Sequence, residues 1–260
     1  MQPGAALQEL RAKAPLVHCI TNYVAMNIAA NVTLAAGASP AMIHAIEEVA
    51  DFTPIAGALT INIGTVSQPW ADAMIKAAEA ANSSGTPWIF DPVAHFATPY
   101  RSKVANQLMA LKPTILRGNA SEIIALAGEA GSGKGVDSGD EVDAAKQAAQ
   151  HLANEYGSVV VVTGEIDLAT DGEKSARVSG GSPLMPKVTA LGCALTALMG
   201  GYAAIADPFD AAVAALAHFG AAGAKAHRAA QGPGSFQTHF LDQLAAATAD
   251  DLEGGLITWE

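Results

Sequence analysis

The residues of this chain best suited to chemistry lie in short polar runs that interrupt apolar stretches. The first is Val188-Thr189-Ala190-Leu191-Gly192-Cys193-Ala194-Leu195-Thr196, where a short loop runs into a helix of small residues. Backbone N–H groups at such a helix start lack intrahelical partners, and the helix dipole there favours negative charge. A phosphoryl group in transfer would meet fixed donors at Gly192 and Cys193. The same field is expected to lower the Cys193 thiol pKa. A buried cysteine at an ordinary helix start also explains the run.

A second run is Arg117-Gly118-Asn119-Ala120-Ser121-Glu122. Asn119, with Glu122 three residues on, makes a capping box. The chemical reading of the same residues puts Glu122 near magnesium, directly or through water, and Arg117 near nucleotide phosphates. Arg117 is harder to explain structurally, because it closes an otherwise apolar run. Asp91 ends PWIF before a proline, either as a carboxylate facing a ligand or as a turn aspartate. Thr163-Gly164-Glu165 ends four consecutive valines. It offers a hydroxyl and backbone donors to phosphate or ribose, or else makes a simple turn. His18, among apolar residues, reads as a hydrogen-bonded core histidine. His95, His227 and His239 lack metal-ligand spacing, so no zinc site is expected. Gly128 to Gly135 nearly matches the phosphate-loop pattern G-x-x-x-x-G-K-[ST], but that loop requires a preceding strand and a hydroxyl for magnesium. Here residues 121–127 look helical and Gly135 occupies the hydroxyl position, so the run reads as an exposed connector.

The elements that must position these residues alternate between short β-rich runs and longer Ala-rich helical ones. Strands are expected at PLVHCI (from Pro15), ALTINIG (from Ala58), PWIFDP (from Pro87), PTILRGN (from Pro113) and SVVVVTGE (from Ser158). Helical patterns cover 22–36, 69–82, 121–127 and 141–155. After Gly192 the chain reads as helical, broken at Asp207-Pro208 and Gly232-Pro233-Gly234. This alternation predicts an α/β fold, a mostly parallel central sheet flanked by helices, in one domain over 1–260. Ligands then bind beyond the carboxyl ends of the strands, where Thr21-Asn22, Gly64-Thr65, Asp91-Pro92, Arg117-Gly118-Asn119 and Thr163-Gly164-Glu165 fall.

Half of the residues are hydrophobic, only 15% are charged, and the formal net charge is -11. With no basic stripe, nucleic acid and anionic membrane surfaces are not expected partners. So little charge hints at surface hidden against copies of the same chain. The two cysteines form no disulfide framework and fit a reducing, cytoplasmic compartment. Residues 188–206 carry no charge, nominally enough to span a bilayer, but their glycines and threonines favour a buried core helix.

Taken together, the runs HCITN, GASPAM, INIGT, DPV, ATPYR, PTILRGNASEI, VVVTGEIDLATDG, GC and GPGSF resemble the hydroxyethylthiazole kinase family, within the ribokinase-like superfamily. The resemblance spans nearly the whole chain. It implies transfer of the ATP γ-phosphate to the hydroxyl of 4-methyl-5-(2-hydroxyethyl)thiazole in thiamine salvage. By motif, it assigns Met42, Asn22 and Ala190 to the alcohol, and Arg117, Thr163 and Asn119 to ATP. It assigns Glu122 and Asp91 to Mg2+, and Gly192 and Cys193 to the reacting centre. It also implies a homotrimer with sites at subunit boundaries. The alternatives are a related kinase acting on a hydroxymethylpyrimidine-like alcohol, or a non-catalytic thiazole- or nucleotide-binding oligomer.

Two departures from the family pattern stand out. Ala190-Leu191 replaces glycine followed by Thr or Ala. If the first position needs positive φ, Ala190 is strained, and Leu191 is expected to add bulk where phosphate arrives. Ala94-His95-Phe96 replaces a glycine-containing stretch, and His95 and Phe96 are expected to narrow or reshape the nucleotide-facing edge.

Overall fold

The computed structural model describes residues 1–128 and 138–260. The chain opens with α1 (Pro3–Lys13), β1 (Leu16–Ile20), α2 (Met26–Ala36), β2 (Ser39–Ala41), α3 (Val49–Phe52) and β3 (Ala58–Asn62). It continues with α4 (Gln68–Ser84), β4 (Trp88–Asp91), α5 (Pro99–Ala110), β5 (Ile115–Asn119), α6 (Ala120–Leu126), α7 (Ser138–Tyr156) and β6 (Val159–Thr163). Then follow β7 (Asp167–Thr170), β8 (Ser175–Val178), α8 (Leu191–Ala203), α9 (Pro208–Ala229), α10 (Pro233–Ala246), α11 (Ala249–Glu253) and β9 (Ile257–Trp259). The phosphate-loop-like run after Gly128 lies outside the described residues.

Among the described residues the strands form one sheet in the order β2-β1-β3-β4-β5-β6-β7-β8-β9. Every pairing from β2 to β6 is parallel, and β7, β8 and β9 add antiparallel strands at one edge. The expected mostly parallel sheet is therefore present, with helices on both faces. Side chains alternate across a strand, and β6 shows it directly. Val159 and Val161 join the core beneath α1, α2, α8, α9 and α10, whereas Val160 and Val162 join the core beneath α4, α5 and α7. A strand covered on both faces has no polar side to spare, which is why four valines run together.

All five expected strands are found, and the proline breaks coincide with the starts of α9 and α10. The helix expected over 22–36 is α2, which starts at Met26 rather than Asn22. The Asn22 side chain accepts from the N–H groups of Val24 and Ala25, both at 3.0 Å, and holds those residues in a turn before the helix. Residues 188–206 contain α8, a helix of the core. A Cβ on its Gly200 would come within 2.5 Å of Thr60 and 2.8 Å of Val17, so glycine there lets α8 lie close on β1 and β3. Among the described residues, no helix is long and apolar enough to cross a membrane. His18 is a core histidine: its ring bonds Thr53 Oγ1 at 3.1 Å and Ile43 O at 2.7 Å.

Candidate active site

Parallel register and period-two alternation set a polar row across the carboxyl ends of three strands. Asn62 on β3 pairs with Asp91 on β4. Continuing the β4–β5 register of Ile89 with Ile115 and Phe90 with Leu116 brings Arg117 beside Asp91. All three side chains fall on the α8 face of the sheet, where the amino end of that helix meets them.

Asp91 is fully buried. Its Oδ2 accepts from Asn62 Nδ2 at 2.7 Å, Thr196 Oγ1 at 2.8 Å and Arg117 Nη1 at 3.4 Å. Its Oδ1 has no partner, nor do Arg117 Nε and Thr21 Oγ1 nearby. Burial pushes the Asp91 carboxyl up to about 6; the Arg117 charge and the donors from Thr196 and Asn62 oppose that shift, and the Glu122 charge adds to it. Arg117 Nη2 donates to Thr163 Oγ1 at 2.7 Å, linking β5 to β6. A Cβ on Gly192 would approach the Arg117 guanidinium to 2.8 Å. Glycine there thus lets the cation sit against the helix start, and both attract anions.

Cys193 stands in the first turn of α8, with Sγ 3.4 Å from Asn22 Nδ2. The expected lowering of its thiol pKa is overturned. Burial and then the Asp91 charge raise it, against weaker help from Asn62, Arg117 and Asn22. A helix dipole acts over one turn and is small beside the desolvation of a buried thiolate. Ala190 caps α8 at φ 60 and ψ 15, so the strain expected of an alanine at this place is present. The expected obstruction by Leu191 is not. As the first helical residue it turns into the core, 3% exposed, away from the helix mouth.

A sequence profile of the hydroxyethylthiazole kinase family matches residues 7–250. The chain belongs to the hydroxyethylthiazole kinase family. The hydroxyethylthiazole kinase of Roseobacter denitrificans is 65% identical over 245 residues, 94% of this chain and 95% of that one. The solved structure of the hydroxyethylthiazole kinase protein from Pyrococcus horikoshii OT3 superposes with a TM-score of 0.92 at 38% identity, covering 99% of this chain and 98% of that one. A pyridoxal kinase from Staphylococcus aureus, solved with AMP-PCP and pyridoxal, shares the ribokinase-like fold at a TM-score of 0.61 and 16% identity, over 81% of this chain and 88% of that one. Membership of the hydroxyethylthiazole kinase family makes the chain a kinase, with ATP as its co-substrate.

The remaining family positions are distributed around this centre. Asn119 and Glu122 form the capping box that starts α6, with Glu122 Oε2 accepting from Asn119 N–H at 2.9 Å. Glu122 Oε1 accepts from Ala94 N–H at 2.9 Å, so this carboxylate also binds the loop after β4. Of the two residues expected to narrow or reshape the edge, His95 turns inward. It is buried, with Nε2 3.0 Å from Glu122 O, while Phe96 stays exposed. Ala94, like Ala190, sits at positive φ, 48°. Met42 follows β2 at the same end of the sheet, half-buried against the α1/α8 core and not bonded into the polar row. Thr163 lines a cavity of about 370 Å³ with Gly164, Glu165, Ile166 and Arg177.

The donor set suits a hard cation that keeps phosphate and water ligands. Asp91 Oδ1 is buried without a partner, and each Glu122 oxygen accepts only one backbone N–H. Sequence reasoning gave no role to Asn62, Thr196 or Arg101. Arg101 donates to the carbonyls of Ile63, Gly64 and Val93, tying together the loops after β3 and β4. A signal existed for Asn62, a polar residue two positions after Thr60 and hence on the same face.

Proposed function

We propose that the chain, acting as one catalytic unit over residues 1–260, transfers the γ-phosphoryl of ATP to the hydroxyl of 4-methyl-5-(2-hydroxyethyl)thiazole in thiamine salvage, with Mg2+. What carries this reading is the meeting of the under-bonded Asp91–Arg117 pair with the amino end of α8 at Gly192 and Cys193. In phosphoryl transfer, alignment and charge neutralisation supply most of the acceleration. Arg117 and the Gly192 and Cys193 N–H groups take the charge spread over the phosphoryl oxygens. Thr163 and Asn119 lie on the nucleotide side, beside the cavity at Gly164 to Ile166. Met42, Asn22 and Ala190 lie on the alcohol side. Magnesium, when bound, neutralises phosphate charge, and Asp91 Oδ1 with Glu122 would hold it. Because its pKa is raised, Cys193 remains a thiol at neutral pH and positions the acceptor hydroxyl.

The active form is proposed to be a cytoplasmic homotrimer. Tyr23 and Val24, 64% and 56% exposed beside Asn22, offer apolar surface at the alcohol side for a neighbouring subunit. Two free cysteines fit a reducing compartment. Light scattering after size exclusion tests the assembly, and a monomer in solution would refute it.

ADP release is to be measured with the thiazole alcohol, with a hydroxymethylpyrimidine and with no acceptor, each with and without magnesium. Release that needs both the thiazole alcohol and magnesium is the expected result. Release driven by the pyrimidine alcohol transfers the reading to the related kinase. Tight ATP binding with no release under any condition overturns catalysis altogether.

A further inference from the structure

Two buried side-chain amides join the alcohol side of this site to its phosphate side, and their orientation is forced. Asn22 and Asn62 are 4% and 2% exposed. Asn22 Oδ1 is taken by the N–H groups of Val24 and Ala25, so Nδ2 must face inward. There it donates to Asn62 Oδ1 at 2.8 Å and to Cys193 Sγ at 3.4 Å. Asn62 Oδ1 also accepts from Gly64 N–H at 2.9 Å, which leaves Asn62 Nδ2 to face Asp91 Oδ2 at 2.7 Å. The Gly64 loop is itself fixed: its carbonyl and that of Ile63 accept from Arg101. A Cβ on Gly64 would come within 2.6 Å of Asn22 Nδ2, so the loop closes tightly over the pair.

We propose that Asn62 is a positioning residue for phosphoryl transfer, its amide holding Asn22 and Cys193 on the alcohol side and Asp91 on the phosphate side in one rigid array. The proposal rests on the reading of the site given above. Asp91 Oδ2 already has donors in Thr196 and Arg117, so burying the carboxylate does not require Asn62. What Asn62 adds is the connection. Among the described residues it is the one side chain bonded to both Asn22 and Asp91, and a fixed separation between acceptor and phosphate is what an aligned reaction needs.

Two variants separate its arms. Asn62→Asp is isosteric and keeps an oxygen for Asn22 and Gly64, but it exchanges the amide donor to Asp91 for a second carboxyl that must either repel it or share a proton with it. Asn62→Ala loses both. With the thiazole alcohol, Asn62→Asp is expected to lower kcat about tenfold or more and to leave the KM for alcohol within about twofold. Asn62→Ala is expected to lower kcat at least as far and to raise that KM about fivefold or more. Kinetic values are taken per folded molecule, with thermal melts of each variant. A lowered melting temperature with unchanged kcat and KM, or the same alcohol KM in both variants, overturns the proposal. Iodoacetamide labelling adds a readout independent of turnover, since Cys19 is shielded at 2% exposure. With Asn22 unanchored in Asn62→Ala, the Cys193 thiolate loses its donors, and labelling slows by about threefold or more. An unchanged or faster rate removes the alcohol-side arm. If the wild-type protein releases no ADP with the thiazole alcohol, the functional reading fails, and the labelling rate still decides whether Asn62 holds Cys193.

Discussion

Helix α8 touches a buried polar cluster at each end, and the two are bonded very differently. Near its carboxyl end, Tyr202 OH donates to His218 Nδ1 at 2.9 Å, and His218 Nε2 donates to Leu244 O at 2.9 Å. Arg11 donates to the carbonyls of Leu244, Ala245 and Ala247, so the end of α10 is also tied down. None of these side-chain atoms is among the buried atoms without a partner. At the amino end, Asp91 Oδ1, Arg117 Nε and Thr21 Oγ1 all lack one. Buried polar groups in folded proteins are normally satisfied. A network that is complete holds helices together, and one left incomplete is shaped for a ligand that is not part of the chain. Substitutions at the amino end should therefore cost activity, and those at the carboxyl end should cost stability.

The sharpest test is Asp91→Asn. We expect kcat/KM to fall about a thousandfold, about 4 kcal/mol of transition-state stabilisation. Unfolding free energy in magnesium-free buffer should stay within about 1 kcal/mol, because relief from burying a carboxylate offsets the loss of a partner for Arg117. A variant that loses its stability and keeps its specific activity would abolish the distinction.

The opposite behaviour is expected of His218→Phe, which strands the Tyr202 hydroxyl. Urea unfolding should show a loss of about 3 kcal/mol at pH 7.5, with kcat/KM of the folded protein within about twofold of wild type. Burial lowers the native His218 pKa to about 4, from 6.5. Between those values the unfolded chain binds a proton that the native protein refuses, so stability rises with pH. The contribution is fully present above pH 6.5 and is lost as pH falls toward 4. The gap between wild type and variant should accordingly narrow over that window, by up to about 3 kcal/mol. A gap independent of pH would mean that the native ring takes up protons freely.

A smaller effect is expected of Cys193→Ser. If the thiol only positions the hydroxyl, a serine that keeps the contact with Asn22 should hold kcat within about tenfold. A loss of about a hundredfold or more would mean that the sulfur does more than position the hydroxyl, as a general base taking its proton would.

Much of the amino-end cluster could be read in the sequence, because Asp91 and Arg117 each break an apolar run where a strand should end. Asn62 could not be given a role in the same way. A polar residue closing a strand fits a turn equally well, and only the pairing of Asn62 with Asp91 makes it part of a row. Thr196 on an apolar helix looks like a residue bonding back to its own backbone until β4 is placed beneath it. The carboxyl-end cluster gave almost no sign, since Arg11, Tyr202, His218 and Leu244 are scattered over four helices with no shared spacing. Five of the six parallel strands were visible because burial on both faces makes them apolar runs. β2, β7, β8 and β9 are three or four residues long and lie toward the sheet edges, where that pattern fades. Leu191 was misjudged for a local reason: its direction depends on whether it ends the loop or begins the helix.

Backbone strain offers the finest comparison, because alanine adopts positive φ both inside and outside the site. Ala190 has φ 60 at the start of α8, and Ala14 has φ 42 at the end of α1. Left-handed alanine costs roughly 1–2 kcal/mol, and glycine removes that cost while giving the unfolded chain more freedom. Ala190→Gly and Ala14→Gly should each gain about 0.5 kcal/mol, raising the melting temperature by about 1–2 °C. The two should differ in kinetics if the strained cap matters to the reaction. Since Ala190 already holds the left-handed turn that aims the Gly192 and Cys193 N–H groups, glycine should leave kcat within about twofold. A gain in kcat of about tenfold in Ala190→Gly alone would show that the alanine distorts the anion site. The incomplete network at this end of α8 would then be partly a product of strain, and less a surface shaped for its ligand.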